Sequence, residues 1–229
     1  MQAFDPDHGR DVPLIARMPD AASAAAGCAA VLSVNAARAA LEAAEAALPA
    51  LTEATLYADL NTASPALKRK LAEVVGETGA PFADIALLGP IPEQGLHAPV
   101  LASGVGAYAF AELFTRLGMP VRVISGEAGD AAALKLVRSV FMKGLAAAVV
   151  ESMEAAEALG HEEWLAQEIE RMIGRTYLER ALEGSRTHAV RRVDEMEAAR
   201  ELLLELGVEP RIASASAAQL LDLTAAKGR

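Results

Sequence analysis

The chain has 229 residues, of which 53% are hydrophobic and 23% charged, the balance of a folded protein of one large domain or two small ones. Its 21 basic and 31 acidic residues leave a formal net charge of −10, and aromatics make up only 4%. Such a surface repels phosphate backbones, and no basic stripe with interleaved aromatics occurs, so nucleic-acid binding is disfavoured.

The N-terminus, MQAFDPD, carries two acids in its first seven residues and no apolar run behind them, so it does not read as a signal peptide. Met1 to Phe4 forms a short strand ending at Asp5-Pro6. The single cysteine, Cys28, sits in an Ala-rich context and has no internal disulfide partner. A buried apolar role and a reducing, cytoplasmic compartment are expected. Ala29 to Val34 is a strand of the buried type, and Ala36 to Leu48 a helix. Thr55 to Leu60 is a strand, Ser64-Pro65 a helix start, and that helix runs to about Thr78. Phe82 to Leu87 and Pro99 to Ser103 are strands, followed by a helix over roughly 107–117 and a last strand, Val121 to Ser125. Apolar strands alternating with helices predict a mostly parallel sheet with helices on both faces.

After Gly126 strand signals cease. Gly129 to Leu159 reads as one long helix, followed by helices over Glu162 to Ile173, Gly174 to Glu183, Arg186 to Leu206 and Ala215 to Ala226. The fold class is therefore α/β then all-α: a Rossmann-type parallel sheet over residues 1–125, joined by a long helix to a helical domain over 126–229. No apolar stretch approaches the ~20 residues of a membrane span.

Doubly wound sheets bind a nucleotide through a first strand, a GxGxxG turn and the next helix, with an acid ~20 residues on for the ribose. No such turn occurs here, and MQAFD reads as the second strand. Asp5 suits the ribose acid if a first strand–turn–helix, missing from this chain, precedes Met1. The plainer alternative is that Asp5-Pro6 simply starts a turn.

The densest chemistry lies at Gly126-Glu127-Ala128-Gly129-Asp130-Ala131-Ala132-Ala133-Leu134-Lys135. Two glycines turn a strand into a helix, and small residues allow close packing. Lys135 and Ser139 share a helix face, with Lys143 a turn further on. An ammonium near a helix start meets the positive end of the macrodipole, which favours the neutral amine that can accept a proton. A surface lysine on an amphipathic helix is the plainer reading. Arg186, His188, Arg191 and Arg192 form a basic cluster in an acidic protein, either a solvated face or a contact for an anionic substrate group. His8, His97 and His161 lack metal-ligand spacing with Cys or acids, so no metal site is expected.

This lysine helix, together with Tyr57-Ala58-Asp59-Leu60-Asn61-Thr62-Ala63-Ser64-Pro65 and Asp84-Ile85-Ala86-Leu87-Leu88-Gly89-Pro90, resembles the β-hydroxyacid dehydrogenases. That group includes 6-phosphogluconate and 3-hydroxyisobutyrate dehydrogenases. Arg191-Arg192-Val193-Asp194-Glu195-Met196 resembles the 6-phosphogluconate dehydrogenase-like branch with its own helical C-terminal domain. The resemblance implies an NAD(P)-dependent oxidation of a small hydroxy acid, with Lys135 as general acid/base. It implies cofactor contacts at Asp5, Ser33, Val34, Asn35, Asn61 and Thr62. It implies substrate contacts at Gly89, Pro90, Arg138 and Ser139, the last standing where relatives carry Asn. Asp5 favours NAD over NADP, and nearby Arg10 works against that preference. A homodimer burying helical surface is expected.

One motif departs from the family. Leu88-Gly89-Pro90 stands where relatives have Ser-Gly-Gly, removing a hydroxyl and a backbone donor and pointing to a larger or less polar substrate or to a different carboxylate grip. Two other readings remain: a non-catalytic dehydrogenase-fold protein lacking the phosphate-binding turn, and an imine or ketone reductase, against which Lys135 argues.

Overall fold

The computed structural model describes residues 1–7 and 14–226; His8 and Arg10 lie outside them. The chain divides into two compact units, Met1–Lys135 and Leu136–Arg229.

In the first unit the order is β1 (Gln2–Ala3), β2 (Ala16–Arg17), α1 (Ala21–Ala25), β3 (Ala30–Ser33), α2 (Ala40–Ala47), β4 (Leu56–Asp59), α3 (Pro65–Gly76), β5 (Phe82–Leu87), α4 (Ile91–Gln94), β6 (Val100–Ser103), α5 (Ala107–Thr115) and β7 (Val121–Val123). The short β2 and α1 were not expected. They lack the apolar run or the length that periodicity needs, although Asp20 caps α1 by accepting the Ser23 N–H at 2.7 Å. Helix α6 (Asp130–Leu159) starts in this unit and continues into the next.

Five strands form one sheet in the order β3-β4-β5-β6-β7, while β1 and β2 pair separately, in parallel. Strands β3, β4 and β5 run parallel, but β6 runs antiparallel to β5 and β7 parallel to β6. The reversal follows from the connection. Between β5 and β6 lie Pro90, Pro92, Gly95 and Pro99, which permit only the four-residue α4 and a 3-10 turn, Gly95–His97. A parallel return needs a full crossover helix, whereas an antiparallel neighbour does not.

Alternation places two cores on the two faces of the sheet. Leu56, Ala58, Ala83, Ile85, Val100 and Ala102 pack with Phe110 and Phe114 of α5. On the other face Tyr57 and Phe82, stacked with centroids 6.1 Å apart, pack with α1, α2 and Leu71 and Val75 of α3. Burying such side chains contributes roughly 1.5–3 kcal/mol each.

The second unit is helical throughout its described residues: the rest of α6, then α7 (Glu162–Ile173), α8 (Arg175–Thr187), α9 (Ala189–Glu205) and α10 (Arg211–Ala226). Ala146, Val149 and Met153 of α6 pack with Ile169 of α7 and with Leu178 and Ala181 of α8. Met196, Ala199 and Leu202 are buried on α9, which lies along α10 with its buried Ala213, Ala217 and Leu220. Among the described residues no helix is long and apolar enough to cross a membrane.

Where α6 begins, Gly129 has φ +105, and a Cβ there would stand 2.9 Å from the Pro65 carbonyl oxygen. Left-handed strain and the clash with backbone both oppose a side chain. Gly129→Ala should therefore cost about 2–3 kcal/mol in urea unfolding, and a loss below 0.5 kcal/mol would contradict this account.

Candidate functional site

The register of the sheet sets four polar residues side by side. Ser33 pairs with Asp59, Asp59 with Asp84, and Asp84 with Ser103, so one row crosses four strands on one face. All four are buried, Asp59, Asp84 and Ser103 completely. Buried carboxylates need partners. The chief one is Lys68, 1% exposed, which reaches in from α3. Its Nζ donates to Asp59 Oδ1 at 2.6 Å and to the Asp59 carbonyl at 2.9 Å. It also stands 3.1 Å from Asp84 Oδ1, but out of line for a hydrogen bond, so charge alone holds that oxygen.

Two carboxylates against one ammonium leave a buried net charge of −1. The start of α6 answers it. Asp84 Oδ2 accepts the N–H groups of Gly129 and Ala132, both at 3.0 Å, and the Ser103 hydroxyl at 3.2 Å. Ser103 Oγ in turn accepts the Ala131 N–H at 3.0 Å. The first-turn donors and the positive end of the helix dipole thus meet a negative charge supplied by the sheet.

One and a half turns further along α6, Lys135 Nζ donates to Thr62 Oγ1 at 2.7 Å. Thr62 follows β4, beside Asn61. The Asn61 Nδ2 donates to Asp59 Oδ2 at 2.5 Å and to Ser33 Oγ at 3.0 Å, and its Oδ1 accepts the Asn35 N–H at 2.5 Å. The turns after β3 and β4 are therefore fastened together, and Val34 projects from them 71% exposed. Burial pushes the neighbouring Tyr57 phenol up to about 12; a hydrogen bond with Ser33 opposes this and the charge of Asp59 adds to it.

The remaining expected site residues are more scattered. Asp5 is exposed, and its Oδ1 accepts the Asp7 N–H at 2.9 Å, the geometry of a turn start. Leu88 bonds back to the Pro99 carbonyl at 2.9 Å, Pro90 precedes α4, and the Gln94 side chain lies in the space a side chain on Gly89 would fill. In the second unit Ser139 is buried and donates a short hydrogen bond to Glu195, while Arg138 is exposed. Lys143 Nζ lies 3.6 Å from Glu195, consistent with a structural pairing.

Comparison with known proteins places this geometry in a family. Residues 156–222 match the model of a domain of unknown function, DUF1932. The structure of a conserved protein of unknown function, MTH1747, described as similar to 3-hydroxyacid dehydrogenases, is 30% identical. It superposes with a TM-score of 0.71 over 93% of this chain and 81% of that one. The chain belongs to the β-hydroxyacid dehydrogenase family. The fold of 3-hydroxyisobutyrate dehydrogenase from Mycobacterium tuberculosis is also shared, with a TM-score of 0.75 at 17% identity over 92% of this chain and 79% of that one. A curated relative, an uncharacterized 28.5 kDa protein from Methanothermus fervidus, is 28% identical over 158 residues; the match covers 68% of this chain and 61% of that protein's length.

Sequence reasoning assigned no role to Lys68, Asp59, Asp84 or Ser103, although both acids lie in the stretches that carry the family resemblance. The signals were present. Lys68 falls on the apolar stripe of α3 with Leu71 and Val75, and both acids interrupt otherwise apolar strands. Removing the ammonium strands two buried carboxylates. Lys68→Met should cost about 3–5 kcal/mol in denaturant unfolding, and Lys68→Met with Asp59→Asn and Asp84→Asn should recover more than half of it. A single variant within 1 kcal/mol of the parent would refute the assignment.

Proposed function

We propose that this chain is part of an NAD(P)-dependent oxidoreductase that oxidises a hydroxy acid, with Lys135 as its general acid/base. The observation that carries the reading is the Lys135–Thr62 hydrogen bond. It holds the amine at the carboxyl ends of β3 and β4, where ligands bind in open α/β sheets.

Ser33, Val34, Asn35, Asn61 and Thr62 suit the nicotinamide half of such a cofactor. They offer an exposed apolar side chain at Val34 for a flat ring and hydroxyl and amide groups for a ribose. Nothing in the 229 residues matches a GxGxxG pyrophosphate cradle. A nicotinamide held by these residues would supply the hydride acceptor. Lys135, in its neutral form, takes the hydroxyl proton as the carbonyl forms, and returns it in the reverse direction. Thr62 orients the amine, and Ser139, one turn on, faces the same side of α6. Gly89, Pro90 and Arg138 complete the proposed substrate contacts. The exposed Asp5 carboxylate supports NAD over NADP. Residues 1–125 are read as the cofactor domain and 126–229 as the substrate domain. Exposed Trp164, Met172 and Val190 support a homodimer through the helical unit, and the lone Cys28 a cytoplasmic setting.

Lys135→Ala should lower turnover of the responsive hydroxy acid by about 10²–10⁴-fold while changing NADH affinity less than threefold. A screen of 3-hydroxyisobutyrate, glycerate and 6-phosphogluconate would supply that substrate. Equal turnover removes Lys135 from the mechanism. A second reading is a chain that uses the fold without binding cofactor. Calorimetry with NADH and NADPH separates the two: micromolar binding by this chain sinks the second reading, and no binding at millimolar cofactor supports it.

A further inference from the structure

Three ionisable side chains lie in the core of the first unit with no part in the proton transfer proposed above. Asp59 and Asp84 are 0% exposed and Lys68 is 1% exposed. Two carboxylates with one ammonium leave a net charge of −1 in a place closed to water. Two short routes join that charge to Lys135. One runs along α6: Asp84 Oδ2 accepts the Ala132 N–H at 3.0 Å, and Lys135 lies about 4.5 Å further along the axis. The other runs through the turn after β4: Asp59 Oδ2 accepts from Asn61 Nδ2 at 2.5 Å, and the next residue, Thr62, holds the Lys135 amine at 2.7 Å.

Two fields therefore meet at Lys135, which is half-buried. The positive end of the α6 dipole disfavours an ammonium. The buried negative charge favours one, and charges out of water are little screened. Of the elements against the start of α6, β4 brings Asp59, α3 brings Lys68, β5 brings Asp84 and β6 brings the uncharged Ser103. Glu127, just before α6, and Asp130 and Arg138 on it are exposed, so solvent damps their pull.

We propose that Asp59, Lys68 and Asp84 are positioning residues for Lys135, their fixed net charge holding up the proton affinity of its amine against the helix dipole. The arrangement suits a group that must both take and return a proton. Under the dipole alone the amine would bind a proton too weakly to draw it from a hydroxyl. Beside two uncompensated carboxylates it would stay an ammonium. Lys68 cancels one of the two charges and so sets the balance between these extremes. That the tuned amine works on a hydroxyl rests on the oxidoreductase reading above; the tuning itself does not.

The test is labelling of the whole chain with acetic anhydride at a fixed pH below the midpoint of the amine, read peptide by peptide by mass spectrometry. The rate at Lys135 follows its neutral fraction and needs neither cofactor nor substrate. One charge within about 10 Å should change that rate about three- to tenfold. Asp84→Asn leaves the cluster neutral, keeps an oxygen for the α6 N–H groups, and should speed labelling of Lys135 by that factor. Lys68→Met leaves two negative charges and should slow it by the same factor. Asp59→Asn combined with Lys68→Met restores a single negative charge and should match the parent. Lys70, exposed on α3 beside Glu73, is the reference in each case. A merely structural role would loosen the fold and speed labelling in every variant. That result, or an unchanged rate across the series, overturns the proposal. Should Lys68→Met fail to fold, the double variant still decides, because loosening speeds it and tuning leaves it unchanged. In turnover assays the pH limb of kcat/KM should move with the labelling rate. A limb that stays put while labelling shifts removes Lys135 from proton transfer and leaves the tuning standing.

Discussion

The fully buried carboxylate of Asp84 is the constraint on which the first unit turns. It lies on β5, at the middle of the sheet, yet its Oδ2 receives the backbone donors that open α6. Without that acceptor, the start of a thirty-residue helix would be buried with unmet N–H groups. Without the helix and Lys68, the carboxylate would be a buried charge with no counterweight. Each element makes the other tolerable, and Gly129 gives the approach its room. Because an α-helix is stiff, fixing its first turn fixes the azimuth of every side chain on the next one. Lys135 reaches Thr62 for that reason.

Much of this was legible in the residues. Apolar runs bounded by turn chemistry located β3 to β7, and Gly126 with Gly129 marked the strand-to-helix turn where it occurs. Lys135 stood out because a lysine so near a helix start is electrostatically awkward. What escaped were pairings between distant positions. Asp59, Lys68, Asp84 and Ser103 look like isolated polar residues until strand register and the α3 face bring them together, and a single sequence states neither. The direction of β6 was hidden for a related reason: strand pattern carries no polarity, and only the prolines between β5 and β6 hinted that no crossover helix fits. Asp5 shows the opposite limit, since an acid after a short strand reads equally well as a ribose ligand or as the turn acceptor it provides.

Two local substitutions of motif take on a joint meaning in the helical unit. Ser139 is buried, and its hydroxyl donates to Glu195. Glu195 also holds Lys143, so one buried carboxylate orders two groups of the same α6 face. The loop Leu88-Gly89-Pro90 offers fewer donors than Ser-Gly-Gly would.

The polar row across β3, β4, β5 and β6 has a consequence for how the chain finds its fold. Parallel strands are slow to pair, because each contact closes a long loop. Sliding any one of these strands by a single residue would turn its polar side chain into the Phe110 and Phe114 layer and present an apolar one to Lys68. Such a mispaired sheet is penalised at once in two places. The row therefore works as an alignment mark: off-by-one pairings dissolve quickly, and the sheet consolidates only when all four strands agree.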